Sequence, residues 1–126
     1  MLTPRIEKIA EDFRGSSWSL LLPDGTEGVL IHTHKGVYRG GHSHSKPEVS
    51  LLLSGRMKYK KTLDRKHDVE FIQEAGQILY NGADQPHLAY ALEEGWLFDW
   101  KLGAKKGETV TTNYPPYRKK VDEQRK

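Results

Sequence analysis

The chain has 126 residues, 36% hydrophobic and 29% charged, with a formal net charge of +3 and no cysteine. That length suits one domain around a single modest core. The missing thiols exclude disulfides, zinc ribbons and cysteine catalysis, so any metal has to rest on nitrogen and oxygen ligands.

The basic residues are scattered among 17 acids, a solvated surface rather than a face for nucleic acid. No apolar run approaches a membrane span. The opening MLTPRIEKIAEDF has no apolar signal core, so a cytoplasmic protein without membrane or nucleic-acid partners is expected.

Residues 1–15 read as a short N-terminal helical segment. Thr3 caps it, Pro4 suits the first helical position, Ile6, Ile9, Ala10 and Phe13 share a face, and Gly15 stops it. A helix this short needs a surface to pack on, either its own sheet or a second subunit.

From residue 16 to 103 the pattern becomes short runs of Leu, Val, Ile, Tyr and Trp between turn signals such as PDG, GG, SG, LDRKHD, EAG, NGAD and EEG. The runs are strand-sized: 19–22, 28–34, 41–44, 49–53, 57–61, 69–73, 77–80, 87–92 and 96–102. Many short strands at this spacing predict an all-β antiparallel sandwich or barrel. Residues 104–126 are polar and read as a surface tail, with docking of Tyr114 and Tyr117 on a neighbouring subunit as the alternative.

The chemistry concentrates in GVYRGGHSHSKPEVSLLLSG, residues 36–55. His42 and His44 are two apart, which on a strand puts both on one face. Glu48 follows a Ser-Lys-Pro link, and His87 opens a later strand after the Asn81–Pro86 turn. A lone histidine here would be an ordinary strand-edge residue. Three imidazoles and a carboxylate in a closed sheet instead suit a borderline divalent metal: iron, manganese, nickel, cobalt, copper or zinc. Four ligands on an octahedral ion leave two positions for water or substrate.

The spacing Gly36, His42, His44, Glu48, Gly55 resembles the first cupin motif, anchor for anchor. Gly76 and His87 match the glycine and histidine of the second, while Gly82, Asp84 and Ala91 stand where that family prefers proline, glycine and asparagine. The chain therefore resembles a small single-domain cupin over about residues 28–100. The resemblance implies a double-stranded β-helix, or jelly roll, with metal ligands at His42, His44, Glu48 and His87.

Around this cluster, Met57 and Tyr59 are expected to face inward, with Tyr59 offering its hydroxyl to a ligand, and Glu48 serving as base as well as ligand. Tyr80, Tyr90, Trp96, Phe98 and Trp100 are expected in the core or barrel wall. His32 and His34 form a second His-x-His on the preceding strand, His67 belongs to the surface, and Arg39 sits near the mouth. Gln77 and Gln85 are candidate hydrogen-bond partners behind the ligands.

Three functions remain open. One is a metal-dependent enzyme acting on a small oxygen-rich substrate as oxygenase, isomerase or lyase. RGGHSH also resembles the opening of cupins that act on nucleotide-linked sugars as isomerases or epimerases. The third is a non-enzymatic module that holds a metal or small ligand. A homodimer through sheet edges that need covering is expected.

Overall fold

A computed structural model of the chain describes residues 3–125. Nine strands and one helix follow in order: β1 (Arg5–Asp12), β2 (Gly15–Leu21), β3 (Glu27–Thr33), β4 (Tyr38–His44), β5 (Glu48–Thr62), β6 (Asp68–Glu74), β7 (Ile78–Asn81), β8 (His87–Lys101), β9 (Thr111–Asn113) and α1 (Pro115–Gln124). All pairing is antiparallel. The path β1-β2-β3-β8-β4-β9 continues through β5, which pairs with β6, β7 and β8.

The two 15-residue strands curl the sheet. Through its first half β8 lies between β4 and the second half of β5; through its second half it lies between β3 and the first half of β5. Both strands bend where they cross Gly55 and Gly95. Gly55 has φ +89°, and a Cβ there would come 2.5 Å from the Glu94 carbonyl oxygen, so no larger residue fits the crossing. Around the bend the inward parity of β5 switches from even to odd. Glu48, Ser50 and Leu52 are buried before it, Met57 and Tyr59 after it.

The core is Leu52, Met57, Tyr59, Leu79, Ala89, Ala91 and Leu97, with Ile31 and Phe71 packed against it. The expected inward pair Met57 and Tyr59 belongs to it.

Three readings are corrected. The segment expected as an N-terminal helix is strand β1, paired with β2 over seven residue pairs and bulged at Ile9. All eight of its residues are exposed, so no apolar face is buried that could hold a short helix together. Pairing satisfies the β1 backbone groups that face β2 and covers the edge of β2.

The polar C-terminal stretch is ordered at its end. β9 pairs with β4, and α1 buries Tyr117 and Val121 against Leu88, with Tyr38 and Tyr114 alongside. Pro115 and Pro116 open the helix where N–H groups would go unpaired anyway. Tyr114 and Tyr117 thus pack on their own chain rather than wait for a neighbour.

Finally, Tyr80 is 54% exposed and outside the core. Trp96, Phe98 and Trp100 do share a face, but it is the outer one, and they are only half-buried. Leu97, Asp99 and Lys101 point inward instead.

Helix α1 is stitched to β4. The Tyr38 N–H donates to Gln124 Oε1 (2.8 Å), Gln124 Nε2 donates to the Gly36 carbonyl (3.0 Å), and Arg118 Nη1 donates to the Gly40 carbonyl (3.2 Å). Gly41 lets the helix approach. Its φ is +74°, and a Cβ would lie 2.7 Å from Arg118 Cα. Gly41→Ala is expected to cost at least about 2 kcal/mol in urea denaturation, through left-handed strain and displacement of α1.

Candidate metal centre

A bulge aims the histidines. In the β4–β8 ladder Arg39 faces Ala89 and Gly40 faces Leu88, but His42, not Gly41, faces His87. The extra residue, at two successive glycines with φ +93° and +74°, reverses the side-chain alternation. Without it Arg39 and His42 would point to opposite faces; with it both line one cavity, together with His44 and His87. The Asn81–Pro86 turn that delivers His87 holds Asp84 at φ +59°. An Asp tolerates this left-handed conformation, so the turn forms without the glycine that the sequence resemblance led one to expect.

The four residues named from the motif meet. Ring-nitrogen donors of His42, His44 and His87 lie within 4.8 Å of one another. Glu48, at the start of β5 and 4% exposed, sits among them. Its Oε2 is 3.2 Å from His44 Nε2 and its Oε1 3.7 Å from His87 Nε2.

The outer nitrogens are anchored. His44 Nδ1 is 2.9 Å from Thr111 Oγ1 of β9, and His87 Nδ1 donates to the Gln85 carbonyl at 3.1 Å. Both partners fix ring orientation, and the carbonyl, which can only accept, also sets the His87 tautomer and leaves its Nε2 lone pair aimed inward. Gln85 contributes by its backbone; its side chain accepts from the Gly82 N–H instead, and Gln77 Oε1 accepts from the Glu74 N–H. Neither glutamine side chain backs a ligand.

The donor set fits a divalent cation. His44 Nε2 is buried and makes no well-aligned hydrogen bond, although Glu48 Oε2 lies 3.2 Å away. Burial, then the neighbouring His87 and His44, pushes His42 down to about 3, and burial lowers His87 as well. His42 and His87 are therefore neutral at neutral pH, as metal ligands must be. Glu48 is ionised: although burial opposes it, its interactions with His44 and the Lys101 ammonium hold its carboxyl well below the usual range.

Two inward residues of β8 were missed in the sequence. Lys101 forms an ion pair with Glu48. Asp99 is opposite Ser50 and has its Oδ1 sealed from solvent without a partner. Burial, reinforced by the charge of Glu48, raises Asp99 to about 8. The available signal was a count of two along one unbroken strand from His87, which reaches 97, 99 and 101. Splitting the strand at EEG and following aromatic bulk led to the outer face.

Asp99 yields a stability prediction. Its folded pKa lies above its ordinary 3.8, so its neutral form favours the fold, and that contribution is lost as pH rises from about 4 through about 8. Asp99→Asn removes the titration. The metal-free variant is expected to exceed the parent in stability by at least about 1 kcal/mol at pH 8, with the gap closing towards pH 4.

The cavity itself holds about 200 Å³ and is lined by Arg14, Arg39, Tyr59, Asp99 and Lys101 besides the cluster. Arg39 donates to Thr33 Oγ1 and the His32 carbonyl, and burial lowers it to about 10, still charged at neutral pH. Burial keeps the Tyr59 phenol protonated, a donor rather than a base. His67 is exposed beside Asp64, away from the cavity.

No family model matches the chain, and no curated protein matches it. Solved structures do. The capsular polysaccharide assembling protein CapF from Staphylococcus aureus superposes with TM-score 0.71 at 16% identity, over 88% of this chain and 32% of that one. Oxalate decarboxylase from Bacillus subtilis superposes with TM-score 0.65 at 21% identity, over 86% and 29%. Another structure of that decarboxylase, concerned with its Mn(II) centres, gives 0.67 at 19%, over 89% and 30%. Both are cupin-fold proteins, and the fold of this chain is a cupin-like β-barrel. The chain spans about a third of the length of each of them. Among the described residues no helix is long and apolar enough to cross a membrane.

Proposed function

We propose that the chain is a metal-dependent cupin that holds a divalent cation on His42, His44, Glu48 and His87 and acts on a small, oxygen-rich, anionic substrate beside it. The observation that carries this reading is the buried, unpartnered His44 Nε2 aimed into a cluster of imidazoles and one carboxylate. A cation of the Fe, Mn, Ni, Co, Cu or Zn class would supply Lewis acidity for oxygenase, isomerase or lyase chemistry. The Mn(II) centres of the decarboxylase neighbour support manganese within that set.

The chain's own residues support an anionic substrate. With Asp99 neutral, Arg39 and Lys101 outweigh Glu48 along the wall, so the cavity favours negative charge before any cation enters. Tyr59 donates a hydrogen bond to a substrate oxygen. Glu48, held ionised by Lys101, is the base in reach of a bound molecule.

A sugar-nucleotide isomerase or epimerase is the second reading, supported by the capsular-polysaccharide neighbour. The cavity of about 200 Å³ argues against it, since sites for ligands of drug size start at about 300 Å³. A non-enzymatic metal or ligand module is the third. The apolar Ile6, Ile9 and Phe13 exposed on β1 and just beyond it support a homodimer covering that edge, and a cytoplasmic location remains the expectation.

Thermal-shift titrations test the choice. Mn²⁺ or Co²⁺ is expected to raise Tm, and small carboxylic acids to raise it further only with metal present. A shift by sugar nucleotides and none by small acids would replace this reading with the second. A metal shift with no response to either ligand class would favour the third.

A further inference from the structure

The barrel wall carries a second donor cluster on its outer face. Ile31 packs on the core and Thr33 is buried inside, so the alternation of β3 sends His32, and His34 just beyond the strand, outward. Across the β3–β8 ladder Thr33 faces Gly95, which brings Glu94 level with His34. The His32 ring rests on Trp96 at 4.9 Å between centroids, and the His34 ring stands edge-on to it, also at 4.9 Å. Glu94 Oε1 lies 2.8 Å from His32 Nε2. One donor atom from each of His32, His34 and Glu94 falls within 4.8 Å of the others.

We propose that His32, His34 and Glu94 form a second, solvent-facing divalent-cation site, selective for zinc-class ions and separate from the inner centre. Two imidazoles and a carboxylate are the donors such ions take. Two donors each about 2.1 Å from one ion lie about 3.0–3.4 Å apart, so the 2.8 Å His32–Glu94 pair needs little opening to admit it. Trp96 holds one ring in place, while the exposed His34 and Glu94 have freedom to close. Three protein ligands leave at least one position for water or for a ligand from a second molecule. The site does not depend on the inner centre: no residue is shared, and the β3 wall separates them.

The test uses the full chain stripped of metal and titrated with Zn²⁺ alone. The His42→Ala/His87→Ala double variant, which lacks the inner imidazoles, is expected to bind one equivalent. Adding His34→Ala or Glu94→Gln is expected to weaken that equivalent at least about 100-fold. A folded double variant that binds no Zn²⁺, or one whose binding ignores both outer substitutions, overturns the proposal. If the double variant does not fold, ring ¹⁵N shifts of the parent decide. Perturbation of His32 and His34 within two equivalents supports the outer site, and silence there overturns it. Because the inner and outer variants are separate, loss of one site leaves the other readable.

Discussion

His87→Ala is expected to lower the affinity for divalent metal by at least about 100-fold at the inner centre, with the barrel still folded. The imidazole is delivered by a turn from the back half of the chain, and its Nδ1 is tied to the Gln85 carbonyl, so no neighbouring side chain replaces it. Competition titration against a chromophoric chelator reads the loss, and circular dichroism reads the fold. Unchanged affinity in a folded variant would mean that the ion lies elsewhere.

Tyr117→Ala is expected to cost about 3–4 kcal/mol, because a large ring that is 4% exposed leaves a cavity between α1 and the sheet. Its hydroxyl also donates to Asp68, and the substitution removes that hydrogen bond together with the ring. The urea midpoint is the readout, and Tyr117→Phe separates the terms by keeping the ring while removing only the hydrogen bond, worth about 1 kcal/mol. A midpoint unchanged by Tyr117→Ala would restore the reading of residues 104–126 as a loose tail. The helix matters to the site as well. The β9 strand that precedes it presents Thr111 to His44, so weakening this end loosens a group that orients a candidate ligand.

Much of the barrel was legible because its information is local. Turn residues mark strand ends, and period-two alternation assigns faces within one strand. The candidate ligands were legible because His42, His44 and Glu48 are close in sequence and glycines at fixed spacing frame them. What escaped depends on non-local pairing. The choice between helix and strand for residues 5–12 was decided by an available edge on β2, which no window of sequence displays. The inner face of β8 was lost because one bent strand read as two. Asp99 and Lys101 acquire their roles only from standing opposite Ser50 and Glu48 in the ladder. The burial of Tyr117 and Val121 arises from a partner, Leu88, far back in the chain, in a segment whose composition is otherwise that of a solvated tail. The outer His32–His34 pair was visible as a spacing, but Glu94, its third donor, comes from the strand that β3 pairs with.

The central claim is that closure of this barrel creates one metal centre from His42, His44, Glu48 and His87. Anomalous diffraction from crystals of the Mn²⁺-loaded protein tests it most directly. The account predicts a peak inside the barrel, within about 2.0–2.3 Å of three imidazole nitrogens and a Glu48 oxygen. A cavity without a peak, or a peak inside it held by other residues, would contradict it.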